Sequence, residues 1–151
     1  MLNFRDYVFV LWADQFEEAT ATIFVTELRE AGLRVKVVGL TLQQISGSHG
    51  LALVPDLSLD QALPLATSAM AVIIPCASRG IKRLKNDPRL HSFFYQAYSN
   101  QAKFVLDPLN ETDLLQVGLF PVSADKMIAY PGNEDLVEFV RSLAGSLSRD
   151  N

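Results

Sequence analysis

The stretch "YVFVLWADQFEEATATIFVTELREAGLRVKVVGL" (7–40) decides the fold that we predict for this chain. Its opening run (7–13) is continuously apolar and rich in β-branched and aromatic residues, which is typical of a strand buried on both faces. Apolar residues then recur at helical spacing as far as Gly32, a common helix stop, and 33–40 returns to a strand pattern. The stretch therefore predicts a βαβ unit with parallel strands and a right-handed crossover.

The rest of the chain continues this alternation of strands and helices. Further strands are predicted at 51–59, where Pro55 favours an edge position, and at 69–75, 103–107 and 126–130. Further helices are predicted at 79–100, with a break at 86–89, and at 111–119 and 134–147. We therefore predict a single α/β domain over 1–151, with a three-layer, doubly wound, mostly parallel sheet of the flavodoxin-like kind.

Composition excludes several classes of protein. The 151 residues carry a net charge of −4, so we expect neither nucleic acid nor a membrane as a partner. No apolar run approaches the roughly 20 residues of a membrane span, and the N-terminus lacks the order of a signal peptide, so we predict a cytoplasmic location. The single cysteine, Cys76, excludes an intrachain disulfide, and two isolated histidines, His49 and His91, predict no metal site.

Small-molecule sites in doubly wound folds lie outside the carboxyl ends of the parallel strands. In this chain those ends are predicted at 12–16, 75–80, 107–110 and 130–133. The residues there that we consider candidates for ligand binding are Phe16, Ala77, Arg79, Pro108, Asn110 and Tyr130.

Several segments together resemble the ThiJ/PfpI superfamily, and most of all the PfpI-type intracellular proteases. They are "ADQFEEAT" (13–20), "AGLRVKVVGL" (31–40), "GSHG" (47–50), "PDLSLDQAL" (55–63), "AVIIP" (71–75), "DPRLHSFFYQAYSNQAKFVL" (87–106) and "MIAYPGNEDLVEFVRSLAGSL" (127–147). No single segment is specific, but their order is that of the family over nearly the whole chain, with 109–125 as the exception.

The resemblance implies a flavodoxin-like domain that is commonly dimeric and carries a cysteine nucleophile on a strand-to-helix elbow. It also implies a glutamate partner from the first strand-helix loop, glycines that offer backbone N–H groups to an oxyanion, and in many members a histidine after the elbow. This chain departs from all four features of the site: the cysteine, its glutamate partner, the glycines and the histidine. The elbow falls at 106–109, where there is no thiol; the glutamate aligns with Thr20; Cys76 and Ala77 replace the two glycines; and no histidine follows His91. A hydrolase of that kind needs an activated nucleophile, a base and an oxyanion pocket. Each part is missing or altered here, so the corner resembles a vacated active site.

Three residues remain candidates for catalysis: Cys76, Asp107 and Glu17. For Cys76 we favour a small packed hydrophobe, although an exposed thiol with a lowered pKa would be redox-sensitive or acyl-accepting. For Asp107 we favour a turn cap over a carboxylate base. Glu17 and Glu18 suit the start of a helix, where the macrodipole stabilises acids, and the resemblance leaves them a further role at the pocket rim or a dimer contact.

Two further groups of residues have both an ordinary and a functional interpretation. The basic run 79–89 is most simply a solvated helix face, and its alternative is an anion site at Arg79. Trp12, Phe16 and Tyr130 could roof an apolar pocket, but buried packing or a dimer seam is the more ordinary use of such side chains.

We therefore predict a non-catalytic member of this superfamily, a pseudoenzyme with a binding, regulatory or structural role. We predict a homodimer without a cofactor, and a small-molecule ligand at the vacated site is a candidate partner. The alternative is a cysteine-dependent hydrolase or deglycase-like enzyme that uses Cys76. A flavin- or nucleotide-binding module is a third interpretation that rests on position alone, because neither a Walker loop nor a GxGxxG fingerprint is present.

Overall fold

A computed structural model of the chain describes residues 7–76, 84, 87–107 and 124–150. The predicted helix at 111–119 and the first part of the one predicted at 79–100 lie outside the described residues. The strands are β1 (Tyr7–Trp12), β2 (Arg34–Gly39), β3 (Ile45–Ser46), β4 (Ala52–Leu53), β5 (Leu57–Ser58), β6 (Ala69–Ile74), β7 (Lys103–Leu106) and β8 (Met127–Ala129). The helices are α1 (Glu18–Glu30), α2 (Leu59–Ala62), α3 (Pro88–Ser99) and α4 (Asn133–Asp150), and 3-10 turns occur at Leu63–Ser68 and Ala124–Lys126.

Six of these strands form one sheet in the order β5-β2-β1-β6-β7-β8, and each neighbouring pair is parallel. The chain runs outward from β1 to β2 and then returns to β6 on the other side of β1. The strand order therefore reverses between β1 and β6, which is where ligand sites form in doubly wound folds. The predicted α/β class and its mostly parallel flavodoxin-like sheet are confirmed.

The segment predicted as one extended piece at 51–59 is divided in two. Its first part, β4, pairs with β3 in an antiparallel two-stranded ladder, which we call the β3–β4 hairpin (45–53). Its second part, β5, lies at the edge of the main sheet beside β2. Pro55 stands between the two parts and belongs to neither strand, so its missing N–H removes no ladder hydrogen bond.

The two faces of the sheet are covered by different helices. Successive side chains of a strand point to opposite faces, so β1 contributes to two separate cores. Val8 belongs to the core shared with Phe24 of α1 and Val140 of α4. Phe9 belongs to the other, where its ring contacts Phe93 of α3 edge to face at 5.4 Å between centroids. The result is the three-layer sandwich that the alternating pattern predicts.

Among the residues that the structure describes, no helix combines the length and apolar character that a membrane crossing requires.

Candidate functional site

The carboxyl ends of the parallel strands are joined by backbone hydrogen bonds. The N–H of Glu17 donates to the carbonyl oxygen of Pro75 at 2.9 Å, which holds the loop after β1 against the end of β6. The N–H of Tyr130 donates to the carbonyl oxygen of Leu106 at 3.1 Å, which holds the end of β8 against β7. The residues that follow four different strands are thereby brought to one edge of the sheet, as the topology predicts.

A cavity of about 370 Å³ opens at this edge. Its described walls are Glu17, Thr20, Asp107, Tyr130, Pro131, Gly132 and Asn133. The volume is near the lower end of the roughly 300–1,000 Å³ of ligand pockets. Three of the residues that the sequence marks as candidates, Glu17, Asp107 and Tyr130, therefore lie together. We call this cavity the sheet-edge pocket.

Tyr130 lines the pocket and also carries an unsatisfied polar group. The residue is only 6% exposed, and its ring packs edge to face on Phe24 with 5.6 Å between centroids. Its buried Oη has no hydrogen-bond partner in the described part of the chain. Burial, followed by the charges of Glu17 and Asp107, raises the pKa of the phenol. The hydroxyl group therefore keeps its proton at neutral pH.

Two carboxyl groups give the pocket a negative character. Burial raises the pKa of Glu17, and the nearby charge of Asp107 raises it further, while His49 acts in the opposite direction. Asp107 is half-buried beside it. No Lys or Arg is among the described residues that line the pocket. Both acids therefore contribute negative charge to the described walls of the pocket.

Cys76 follows the end of β6 and is completely buried. Burial raises the pKa of its thiol well above the ordinary value, and the charges of Glu17 and Asp107 raise it further. A reactive cysteine needs access and a lowered pKa, so the shift is opposite in direction to the one that the relocated-nucleophile interpretation requires. Its surroundings are those of a small side chain packed at a strand end.

Phe16 lies in the core and is not among the described residues that line the pocket. The side chain is fully buried and packs edge to face on Trp12, with ring centroids 6.3 Å apart. The indole Nε1 of Trp12 donates to the carbonyl oxygen of Ile45 at 3.0 Å, which anchors the pair beneath the β3–β4 hairpin. The two aromatic rings are therefore structural, and the position of Phe16 next to a strand end did not reveal that its side chain turns inward.

Glu18 has a role that the sequence analysis missed. Its buried carboxylate accepts hydrogen bonds from the backbone N–H groups of His49 at 2.6 Å and Leu51 at 3.1 Å, and from Ser48 Oγ at 3.2 Å. Burial would raise its pKa, but the hydrogen bonds from backbone N–H groups and from His49 outweigh burial and lower the pKa to about 2. Glu18 thus holds the tip of the β3–β4 hairpin, while its neighbour Glu17 lines the pocket.

Thr20 also belongs to the site, although composition and spacing gave no reason to select it. The residue is buried at 1% exposure and lines the sheet-edge pocket. The signal that could have identified it is the family alignment, which puts a glutamate at this position. The structure places a neutral hydroxyl-bearing side chain there instead.

The remaining candidates, Ala77, Arg79, Pro108 and Asn110, lie outside the described residues, so the anion-site interpretation of Arg79 stays a prediction. Within the described ranges, no group of three or more His, Cys, Asp or Glu side chains is arranged to hold a metal ion.

The fold and the pocket define a class: a doubly wound α/β protein with a ligand-sized cavity at the strand ends on one edge of its parallel sheet. The model of the DJ-1/PfpI family matches residues 6–106. The chain belongs to the DJ-1/PfpI family. This confirms the resemblance drawn from the sequence segments.

Solved structures of the same superfamily share the fold at low sequence identity. A DJ-1 superfamily protein from Salmonella typhimurium is 19% identical with a TM-score of 0.81, covering 95% of this chain and 91% of its own. DJ-1beta from Drosophila melanogaster is 19% identical with a TM-score of 0.80, covering 94% and 90%. A ThiJ/PfpI domain protein from Brachyspira murdochii is 15% identical with a TM-score of 0.72, covering 96% and 97%. No curated protein sequence matches the chain significantly.

Proposed function

We propose that this member of the DJ-1/PfpI family is a non-catalytic protein that binds a small molecule in the sheet-edge pocket. The observation that carries the proposal is the buried Oη of Tyr130, which lacks a partner while its residue lines a cavity of ligand size. Buried polar groups are nearly always hydrogen-bonded, so an unpartnered one on a residue that lines a cavity supports a role for that residue in binding. The predicted cytoplasmic location is part of this proposal.

The non-catalytic part of the proposal is supported by the residues at the site. Thr20 stands in the pocket where the family resemblance places a glutamate. The one cysteine of the chain, Cys76, is buried with a raised pKa and is therefore a poor nucleophile in this conformation. Binding without cysteine chemistry accounts for both observations.

We also propose that the protein acts as a homodimer, and the surface of the β3–β4 hairpin supports that part of the proposal. Leu51 is 51% exposed and Val54 is 66% exposed on either side of β4. A second, largely apolar groove of about 190 Å³ is lined by Val54 together with Val25 and Leu53. An exposed apolar side chain in such a groove is typical of an interaction surface.

Binding is tested by ¹H–¹⁵N NMR of the full chain with a library of small fragments. We expect hits to perturb the amides of Thr20 and Asn133, which line the pocket, and to bind more weakly to Tyr130→Phe. The matched control is Tyr95→Phe, because Tyr95 is 60% exposed on α3 and the same hydroxyl group is removed there. Absence of any fragment that perturbs the pocket amides would overturn the proposal.

A second candidate function is cysteine chemistry at Cys76, and one observation favours it. The thiol is close enough to Glu17 and Asp107 for both carboxylates to influence its pKa, so it adjoins the pocket acids. Iodoacetamide labelling of native protein between pH 5 and 9 separates the two functions. Labelling that requires denaturation supports the binding protein, whereas rapid labelling with a midpoint well below about 8.5 would favour the enzyme.

A further inference from the structure

We infer that the ligand of the sheet-edge pocket is a small neutral molecule with two adjacent hydroxyl groups, one bound by the carboxylate of Glu17 and the other by the hydroxyl group of Thr20. The inference rests on the proposed function, because it specifies the ligand of the same pocket. It is carried by two polar side chains that line the pocket and make no hydrogen bond within the described part of the chain.

The two side chains occupy the positions of a helix cap without serving as one. Glu17 is the N-cap residue of α1, and Thr20 is the third residue of the helix. In a capping box, side chains at these two positions lie side by side and each bonds to the other's backbone N–H. Here Glu17 makes no side-chain cap, and its own N–H donates to Pro75 instead. Both polar groups are thereby left to the pocket that they line.

The hydroxyl group of Thr20 opens into the pocket. Thr22 and Thr26, on the same helix, donate their hydroxyl groups to the carbonyl oxygen four residues earlier, at 2.8 and 2.7 Å. Thr20 makes no such hydrogen bond among the described residues, and its oxygen is not closed off as Oη of Tyr130 is. The residue exposes only 1% of its surface, so that small area includes its hydroxyl oxygen and faces the cavity. A buried O–H donor that finds no partner in the protein favours a ligand that supplies an acceptor.

The carboxylate of Glu17 places the opposite requirement on the ligand. Burial raises its pKa, the charge of Asp107 raises it further, and no hydrogen bond offsets this rise. An ionised carboxylate accepts hydrogen bonds and donates none, so the ligand has to supply a donor. Asp107 also lines the pocket but has interactions of its own, so no ligand contact is assigned to it.

Adjacent hydroxyl groups meet both requirements. An ammonium group has donors only, and a carboxylate, ether or ketone has acceptors only. Of two neighbouring hydroxyl groups, one can donate to Glu17 while the other accepts from Thr20, and neither brings a charge into a partly buried site. A hydroxyl group can also accept from the protonated form of Glu17, which the raised pKa favours, whereas the N–H of a carboxamide cannot. The cavity of about 370 Å³ admits a small ring that carries such a pair.

Four probes that share a cyclohexane ring test the inference: cis-cyclohexane-1,2-diol, cyclohexanol, 1,2-dimethoxycyclohexane and cyclohexanecarboxamide. Each is titrated into the full chain at pH 7, and the amides of Thr20 and Asn133, which line the pocket, are followed by ¹H–¹⁵N NMR. We expect saturable shifts with the diol and binding about fivefold weaker with cyclohexanol and the carboxamide, because a hydrogen bond to the pocket is lost. The dimethoxy compound, which has no donor, should not saturate the pocket.

Variants of the two binding residues identify the partners. Thr20→Val keeps the shape of the side chain but removes the hydroxyl group, and should weaken binding of the diol about fivefold, whereas Thr20→Ser should retain it. Glu17→Gln should weaken binding about tenfold, because it removes a charged hydrogen-bond partner. The matched controls are Thr26→Val and Glu30→Gln, on the same helix but outside the described pocket walls, and both should bind the diol unchanged.

The outcomes separate the ligand class from the site. Binding of cyclohexanol, the dimethoxy compound or the carboxamide as tightly as the diol would overturn the diol class and leave the proposed binding function in place. Fragment hits at Thr20 and Asn133 without any response to the diol would have the same meaning. An unchanged affinity in Thr20→Val, or an equal loss in Thr26→Val, would also overturn the inference. Failure of every probe and every fragment to perturb these amides would overturn both proposals.

Discussion

The buried hydroxyl group of Tyr130 destabilises the unliganded protein. Its Oη is buried without a partner in the described part of the chain, and a buried unsatisfied polar group costs about 1–3 kcal/mol. The same ring makes an ordinary edge-to-face contact with Phe24, so its apolar part is well accommodated. A cost confined to one hydroxyl group of a pocket-lining residue agrees with the proposed binding site, because functional residues are retained even where they lower stability.

Removing that hydroxyl group should therefore stabilise the protein. We expect Tyr130→Phe to raise the free energy of unfolding by about 1 kcal/mol, because the apolar contacts remain and the unsatisfied group is lost. Urea unfolding of the unliganded protein measures the change. Tyr95→Phe, at a site that is 60% exposed, should stay within about 0.5 kcal/mol. A loss of about 1 kcal/mol in Tyr130→Phe would show that the hydroxyl group has a structural partner.

Glu17 and Glu18 are adjacent, but their effects on stability should have opposite pH dependence. The pKa of Glu18 is lowered to about 2 in the folded state, so its stabilising effect is present above the ordinary value of 4.5 and is lost as the pH falls toward 2. The pKa of Glu17 is raised, so its contribution is most favourable below 4.5 and is lost as the pH rises through the raised pKa. One carboxylate strengthens the fold at neutral pH and the other weakens it.

The two glutamine variants test this difference. Glu18→Gln should be less stable than the unmodified protein at pH 7, and the gap should narrow between pH 4.5 and the lowest pH that still permits a folded baseline. Glu17→Gln should be more stable at pH 7, with a gap that closes below pH 4.5. Urea midpoints measured across this range give both curves, and midpoints that shift in the same direction at pH 7 would contradict the assignment.

The β3–β4 hairpin is the element that Glu18 positions, and Gly47 shows how closely the two fit. A Cβ added at Gly47 would lie 2.5 Å from Cδ of Glu18 and 2.7 Å from the backbone oxygen of Phe16. The carboxylate cannot move away without losing its hydrogen bonds to His49 and Leu51. The hairpin therefore needs a residue without a side chain at this position.

Gly47→Ala should consequently destabilise the protein by about 1–3 kcal/mol, the usual effect of overpacking. The amides of His49 and Leu51 should also exchange with solvent roughly tenfold faster, because their acceptor is displaced. The control is Gly132→Ala, since an added Cβ there has no neighbour within 4 Å. Equal stability of the two variants, measured by urea unfolding, would show that the hairpin adjusts without cost.

The long elements are predictable from the sequence because each has a clear period or a clear boundary. The apolar run of β1 and the helical spacing of α1 identify both correctly. The predicted break at 86–89 coincides with the start of α3, where Asp87 caps the helix with its side chain and Pro88 occupies its first position. The strands β3 and β4 are only two residues long, too short for a period, and they depend on contacts with distant residues.

The candidate site is also predictable only in part, because the topology of the sheet fixes where the strand ends lie but not where each side chain points. Parallel topology alone brings Glu17, Asp107 and Tyr130 to one edge, so residues at strand ends could be selected without a structure. The direction of a side chain is not determined by topology, and Phe16 turns into the core while Glu18 turns to a hairpin some 30 residues further along the chain. Long-range contacts decide these orientations, and the local sequence does not encode them.

At the scale of the whole molecule, the fold is retained at low sequence identity. Structures that are 15–19% identical to this chain superpose with TM-scores of 0.72–0.81. Such folds depend on buried apolar patterns that tolerate many substitutions, whereas chemistry depends on a few particular side chains. The Salmonella and Drosophila structures therefore support the sandwich architecture of this chain, and its function has to be argued from its own pocket.

The predicted homodimer is a property of the whole molecule and can be tested through the exposed hairpin. A stable interface buries roughly 800 Å² on each subunit, and charges in its core are strongly unfavourable. We expect the protein to sediment with twice the chain mass of 16.7 kDa, and Leu51→Asp or Val54→Asp to shift it to the monomer. Tyr95→Asp introduces the same charge at an exposed apolar residue of α3 and should leave the dimer intact.

Circular dichroism establishes that each variant is folded, so a change in mass reports association alone. Dissociation by Tyr95→Asp but not by the hairpin variants would place the interface on α3, and a monomeric unmodified protein at micromolar concentration would refute the predicted dimer.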